Sequence, residues 1–138
     1  MSSGTVPRSP VENWEQIRDE WIQTVDVVLS HVEGWCQAEG WLVHRETKDI
    51  EEDRLGHYHI GVLLIDTPAG RLHLDPISRF IVGAEGRIDV YSFPHYQTAI
   101  LIRVQGDWRF RTVDGSAKDR PFEHAAFVEI AKQLTSPS

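Results

Sequence analysis

Residues 58–75 read YHIGVLLIDTPAGRLHLD and predict the fold of this chain. The first half, which ends at Asp66, carries apolar side chains at both even and odd positions. Such a strand is typically central in a sheet and covered on both faces. Residues 67–70 (TPAG) predict a turn with proline at its second position. Beyond the turn, Leu72 and Leu74 alternate with polar residues, as in a strand with one buried face. The stretch therefore predicts an antiparallel hairpin.

Further strand-like segments flank this hairpin on both sides. We predict strands at 41–48, 71–75, 77–82, 87–93, 97–105 and 108–112, and a charged connection at 49–56. Pro76 indicates a sheet edge or a bulge. Gly106–Asp107 is typical of a two-residue hairpin turn with glycine first. Because the connections are too short for helical crossovers, we expect an antiparallel meander of about five to seven short strands.

A helix is predicted on each side of these strands. Ser9–Glu12 (SPVE) has the features of a helix start, namely a capping serine, proline at the first helical position and a glutamate three residues after the cap. Gly34 is one possible end of this helix, but Trp35 and Cys36 keep the helical phase, which favours Gly40 as the C-terminal glycine. One apolar stripe follows at spacings of three and four residues: Trp14, Ile17, Trp21, Val25, Val28, Val32 and Trp35. A second helix is predicted from Pro121, with Phe122, Ala126, Phe127, Ile130 and Leu134 on one face.

The fold class that follows is α+β. We expect a long N-terminal amphipathic helix, an antiparallel meander sheet and a C-terminal helix, in a single domain over residues 1–138 with frayed ends at 1–8 and 135–138. The chain of 138 residues contains one cysteine, Cys36, which excludes an internal disulfide and a zinc site built from several cysteines. No apolar run reaches the ~20 residues that span a bilayer. These observations favour a cytoplasmic protein without a membrane segment.

The charge of the chain is unevenly distributed. Fourteen basic and 21 acidic side chains give a net charge of −7, and the excess of acid lies within residues 11–56. A net negative field opposes binding to phosphate backbones, which disfavours nucleic acid as a partner. We expect instead a protein-binding or adaptor module whose acidic helix face, with Glu15, Asp19 and Asp26, meets a basic protein. A homodimer is an open alternative.

Histidines provide the second hypothesis, a small-molecule or metal-dependent enzyme with a pocket on a curved sheet. His57 and His59 are two residues apart on one predicted strand, and His73 and Asp75 have the same spacing on the next. Alternating residues share a strand face, and imidazole and carboxylate groups ligate divalent metals. The predicted pairing sets His73 near Leu64, several residues away from the first histidine pair. No other cofactor is expected, because the sequence contains no phosphate-binding glycine motif.

Two further clusters have open interpretations. Arg103, Arg109 and Arg111 lie on the last predicted strands. They could meet an anionic ligand or a nucleic-acid strand, or else pair with the acidic first part of the chain. The tryptophans of the first helix, followed by Trp41, could form the core or line an aromatic groove for a partner, since tryptophan is favoured at binding hot spots.

Overall fold

The computed structural model describes residues 13–94, 96–112 and 119–136, and within them it shows the predicted α+β architecture. The helices are α1 (Trp14–Glu39) and α2 (His124–Thr135). The strands are β1 (Leu42–Glu52), β2 (Gly56–Thr67), β3 (Gly70–Ser78), β4 (Arg87–Phe93), β5 (Thr98–Val104), β6 (Asp107–Thr112) and β7 (Arg120–Pro121). All seven strands form one antiparallel sheet in the order β1-β2-β3-β4-β5-β6-β7. The predicted meander between two helices is confirmed.

The long first helix follows from its apolar stripe. Trp21, Val25, Val28, Leu29, Val32 and Cys36 are its buried residues, at the three- and four-residue spacings of one helix face. The helix ends at Gly40, as predicted, and this glycine adopts the left-handed conformation with a φ of 76°. The predicted start at Ser9–Glu12 lies outside the described residues.

One hydrophobic core joins the two helices to one face of the sheet. The largest fully buried side chains include Trp21 from α1, Phe127 from α2 and Phe110 from β6. In the sheet centre Leu74 pairs with Val90, and Val90 with Ala99, so their side chains align on the core face. On the alternate positions His73 pairs with Tyr91, and both are only partly buried.

The β1–β2 hairpin is longer than predicted. Residues 49–52 belong to β1, and only 53–55 connect the two strands, because β2 pairs with β1 in unbroken register from Asp66 to Gly56. Burial along β2 changes phase, since Tyr58 and Ile60 are buried and then Leu63 and Ile65. At this point Gly61 lies close to α1, and a Cβ there would be 3.1 Å from Leu29 Cδ1. Val62 and Leu64 are half-buried.

Three other local predictions require correction. β3 continues through Pro76 with a register shift and ends at Ser78, so only the first two residues of the strand predicted at 77–82 are extended; residues 79–82 form an irregular loop in which Ile81 makes an isolated bridge to Ala84. The β5–β6 turn is centred on Gln105 and Gly106, whose φ values of 51° and 84° give a primed turn with glycine second. The second helix begins at His124 rather than Pro121, and Thr135, which was expected to fray, is its buried last residue.

Trp21 connects α1 with the loop before β4 and with strand β6. It is 1% exposed, and its ring packs on the backbone of Gly86, which precedes β4. It also stacks on Trp108 of β6, with ring centroids 6.1 Å apart and planes at 27°. A Cβ at Gly86 would lie 2.5 Å from Cζ3 and 2.8 Å from Cη2 of the Trp21 ring. Only glycine fits at residue 86 while the indole keeps this position.

Replacing Gly86 with alanine should therefore destabilise the protein. The added methyl group overpacks a fixed contact, so we expect the free energy of unfolding to fall by about 1–3 kcal/mol. Gly34→Ala is the matched control, because no atom lies within 4 Å of the added carbon on this exposed helix position. That variant should gain about 0.5–1 kcal/mol from helix propensity. Urea unfolding of both variants measures the difference, and an equal effect of the two would contradict the packing argument.

Candidate functional site

A cleft between α1 and the β5–β6 hairpin combines an apolar, aromatic lining with one charged side chain. We call it the α1 cleft; it has a volume of about 480 Å³ and is lined by Thr24, Val27, Val28, His31, Trp35, Arg103, Trp108 and Phe122. About three turns of α1 form one wall, and β5, β6 and the segment before α2 form the other. Trp35 and Phe122 meet with ring centroids 4.8 Å apart. Val27 is 55% exposed at the mouth. The tryptophans thus contribute to the core and to an open aromatic cleft.

A second hollow continues the cleft toward the start of α1. We call it the arginine hollow; it measures about 360 Å³ and is lined by Ile17, Glu20, Trp21, Gln23, Thr24, Val27, Arg79 and Arg103. Arg103 borders both cavities, because β5 places it opposite Trp108 of β6. Arg79 enters from the loop after β3. The combined site is therefore aromatic at one end and basic at the other.

The two arginines differ from most others in having no carboxylate partner. Arg18, Arg45, Arg71, Arg87, Arg111 and Arg120 all form ion pairs with acidic side chains. Within the described part of the chain, Arg79 and Arg103 form none, and Arg103 Nε is buried without a hydrogen-bond partner. A buried donor that has lost water and gained no acceptor costs free energy. The sequence-based alternative that Arg103 pairs with the acidic half has no support there.

A polar cluster behind the hollow fixes the position of Arg79. The Glu52 carboxylate accepts hydrogen bonds from the Tyr58 hydroxyl, from Ser78 Oγ at 2.6 Å and from the Arg79 backbone N–H at 3.1 Å. Burial, with the Glu52 contact adding to it, raises the pKa of Tyr58 well above its usual value. Tyr58 therefore stays a neutral donor, and the loop that carries Arg79 is held to the β1–β2 hairpin.

The predicted partner-binding residues lie on the other flank of α1. Glu15, Asp19 and Asp26, with Glu33, are spaced by four and seven residues along one helix face, which we call the acidic flank; its Asp26 and Glu33 contact Arg45 of β1. Asp19 and Asp26 have side chains that are 65% and 63% exposed. Arg45 of β1 crosses to this flank, where it donates to Asp26, to Ser30 Oγ at 2.8 Å and to Glu33 at 3.3 Å. The basic group that neutralises part of the acidic helix thus comes from the first strand.

Beside the acidic flank the sheet has an open edge. β1 pairs with β2 alone among the described strands, so its other side presents unpaired backbone groups along eleven residues. At the opposite edge β7 contains only two residues. Leu42, at the start of β1, is 72% exposed. A long strand edge of this kind is a template for pairing with another extended chain.

The four predicted metal ligands fall into two separate pairs. His57 and His59 both face Asp49, with 3.7 Å between His57 Nε2 and Asp49 Oδ2. His73 lies 3.1 Å from the Tyr91 hydroxyl through Nδ1, while the Asp75 carboxylate pairs with Lys48 Nζ at 2.5 Å. In residues 13–94, 96–112 and 119–136 no group of three or more His, Cys, Asp or Glu side chains is placed to hold a metal ion. A shared four-ligand shell therefore has no geometric basis here.

Cys36 is a core residue. It is fully buried in α1, and burial, followed by repulsion from Glu33 and Glu39, raises the pKa of its thiol to about 12. The thiolate is the reactive form of cysteine, so a thiol with this environment is a poor nucleophile. The structure therefore assigns the only cysteine a packing role.

We expect Cys36 to resist a disulfide reagent at mildly alkaline pH while the protein is folded and to react fully in guanidinium. The raised pKa also predicts the sign of a pH effect, because the unfolded thiol ionises first. Stability from this group is complete below a pH of about 9 and falls as the pH rises from 9 toward 12. Wild type and Cys36→Ser, compared by urea unfolding across this range, measure the effect; an identical pH dependence would contradict it.

The sequence predicts parts of this site but not that they lie together. The spacing of Trp14, Trp21 and Trp35 predicts one apolar helix face, which has two interpretations: a core or an aromatic groove. Nothing local distinguishes Arg79 or Arg103 from the arginines that have partners, because the difference lies in long-range contacts. The one usable signal was Arg103 on a late strand near Trp108.

No family model, curated protein sequence or solved structure matches this chain. In the described residues, neither helix combines the length and apolar character that a membrane crossing requires. The geometry of the cleft, the acidic flank and the open strand edge is accordingly the evidence on function.

Proposed function

We propose that this chain is a non-enzymatic protein-binding or adaptor module that takes an extended, basic segment of another protein along β1. The observation that carries the proposal is the open edge of β1 beside the acidic flank of α1. An added strand would supply hydrogen-bond partners for the unpaired edge, which is a common mode of peptide recognition.

Charge specifies which partner fits this edge. The acidic flank lines the β1 side of α1, and β1 itself carries exposed Glu46, Asp49 and Glu51. Arg45 offsets part of this charge at Asp26 and Glu33, and Arg18 forms an exposed ion pair with Asp19. Glu15 and the exposed Asp19 carboxylate, nearer the helix start, are the groups that we expect a partner to meet. Lysine and arginine of the incoming segment would meet these carboxylates and accelerate its association.

Charge also decides between the other possible partners of the β1 edge. A second copy of this chain is a less favoured occupant of this edge, because two acidic surfaces would face each other. Nucleic acid is disfavoured by the net charge of −7.

We also propose a cytoplasmic location, supported by a single, buried and unpaired cysteine.

The test compares two double variants that change the net charge equally. Glu15→Gln with Asp19→Asn alters the acidic flank, whereas Ala125→Lys with Gln133→Lys alters exposed positions of α2; both move the formal charge from −7 to −5. Exposed ion pairs contribute modestly, so we expect the flank variant to weaken partner binding about three- to tenfold at low salt, and less at high salt. The α2 variant should bind as wild type does.

Hydrogen exchange locates the contact. With a partner isolated on wild-type protein, we expect added amide protection within Leu42–Glu52, since those backbone groups gain hydrogen bonds. Equal partner recovery by both double variants, or added protection that excludes β1, would overturn the proposal.

A further inference from the structure

The α1 cleft and the arginine hollow together resemble a small-molecule site more than a protein contact. They are concave, and a mainly apolar cleft adjoins a more polar hollow, so that apolar and polar groups are separated as in sites for small organic ligands. They lie on the flank of α1 away from β1, so the inference does not rest on the protein-binding function proposed above. The question is which ligand satisfies both ends.

The basic end requires an anion. Arg79 and Arg103 line one hollow, and within the described residues neither has a carboxylate in ion-pair range. The Arg103 guanidinium is also partly desolvated, since its Nε is buried without a partner. Arginine presents a planar set of donors that matches a carboxylate, and the attraction is stronger where water is excluded.

The other end requires a flat apolar group. Trp35, Trp108 and Phe122 present ring surfaces to the cleft, with His31 beside them. Trp108 is fixed from behind by its stack on Trp21, and Trp35 by its contact with Phe127 at 5.8 Å. Rings that are held in place offer a preformed slot, which lowers the entropic cost of binding.

Glu20 limits the charge of the ligand. Its carboxylate also lines the hollow, where it accepts a hydrogen bond from Gln16 Nε2 at 3.0 Å. One ligand charge is offset by two arginines, but a second negative charge would be repelled by Glu20. This arrangement favours a monoanion over a dianionic phosphate ester.

We propose that the α1 cleft binds a small organic monocarboxylate with a flat, aromatic or similarly apolar body. The body occupies the slot between Trp35, Trp108 and Phe122. Arg103 and Arg79 hold the carboxylate in the adjoining hollow. The carboxylate is thus the acceptor that these donors lack within the described chain.

The probe is naphthoate, titrated into the full chain by calorimetry, with naphthamide as its uncharged analogue and naphthyl phosphate as a dianion. Charge-assisted hydrogen bonds in a partly buried site are worth about 10- to 100-fold in affinity, so naphthamide should bind more weakly by that factor. Naphthyl phosphate should also bind more weakly than naphthoate. Glu20→Gln should reduce the difference in affinity between these two anions, because it removes the repulsion of the second charge.

Matched arginine variants assign the contact. Arg103→Gln should weaken naphthoate binding about tenfold or more and leave naphthamide unchanged. Arg109→Gln, the same change at an exposed position of β6, should have no effect. Val27→Trp is a second variant that should leave the fold intact, because residue 27 is 55% exposed and a larger side chain there fills the mouth of the cleft without disturbing the core. This substitution should abolish the binding of naphthoate and of naphthamide.

Three results would overturn the proposal. The first is the absence of saturable naphthoate binding at millimolar concentration. The second is equal affinity for naphthoate and naphthamide, which would show that no carboxylate is recognised. The third is an equal effect of Arg103→Gln and Arg109→Gln in variants with wild-type thermal unfolding. None of these results bears on the edge of β1, so the protein-binding proposal is tested separately.

Discussion

The packing of Trp21 on Gly86 is the contact on which the rest of the structure depends. It brings α1, the loop before β4 and, through the stack on Trp108, the β5–β6 hairpin together at one point. Because the indole is held between backbone and ring, the helix cannot slide along the sheet without losing the contact. The two flanks of α1 consequently have fixed and different neighbours, β1 on one side and β5–β6 on the other.

The difference between those flanks explains how one helix presents two surfaces of opposite character. On the β1 side, Arg45 contacts Asp26 and Glu33, Arg18 pairs with Asp19, and Glu15 is exposed. On the other side the helix presents Val27, His31 and Trp35 to a cleft whose arginines have no acidic partner among the described residues. Arg45 therefore neutralises part of the acidic flank, whereas Arg103 lies on the opposite flank, with no ion pair to an acidic side chain among the described residues.

Much of the architecture could be predicted from local patterns, whereas the site could not. Apolar spacing predicts α1, the glycine at residue 40 marks its end, and the turn at 67–70 predicts the β2–β3 hairpin. The errors lie where tertiary contacts override local preference. Charged residues 49–52 continue β1 because β2 supplies their hydrogen bonds, and the phase change near Gly61 follows the approach of Leu29. The unpaired state of Arg79 and Arg103 depends on residues far away in sequence, so no local pattern records it.

The Glu52 cluster shows how the fold and the site are coupled. Tyr58, Ser78 and the Arg79 backbone N–H all donate to one carboxylate, so the irregular loop after β3 is tied to the far end of the β1–β2 hairpin. The hairpin is long because β1 continues through its charged residues to Glu52, and the loop is irregular because β3 ends after the bulge at Pro76. The two departures from the predicted strand pattern therefore meet at one hydrogen-bonded group. Their combined effect is to hold Arg79 beside α1, where a regular strand over 77–82 would have continued along the sheet.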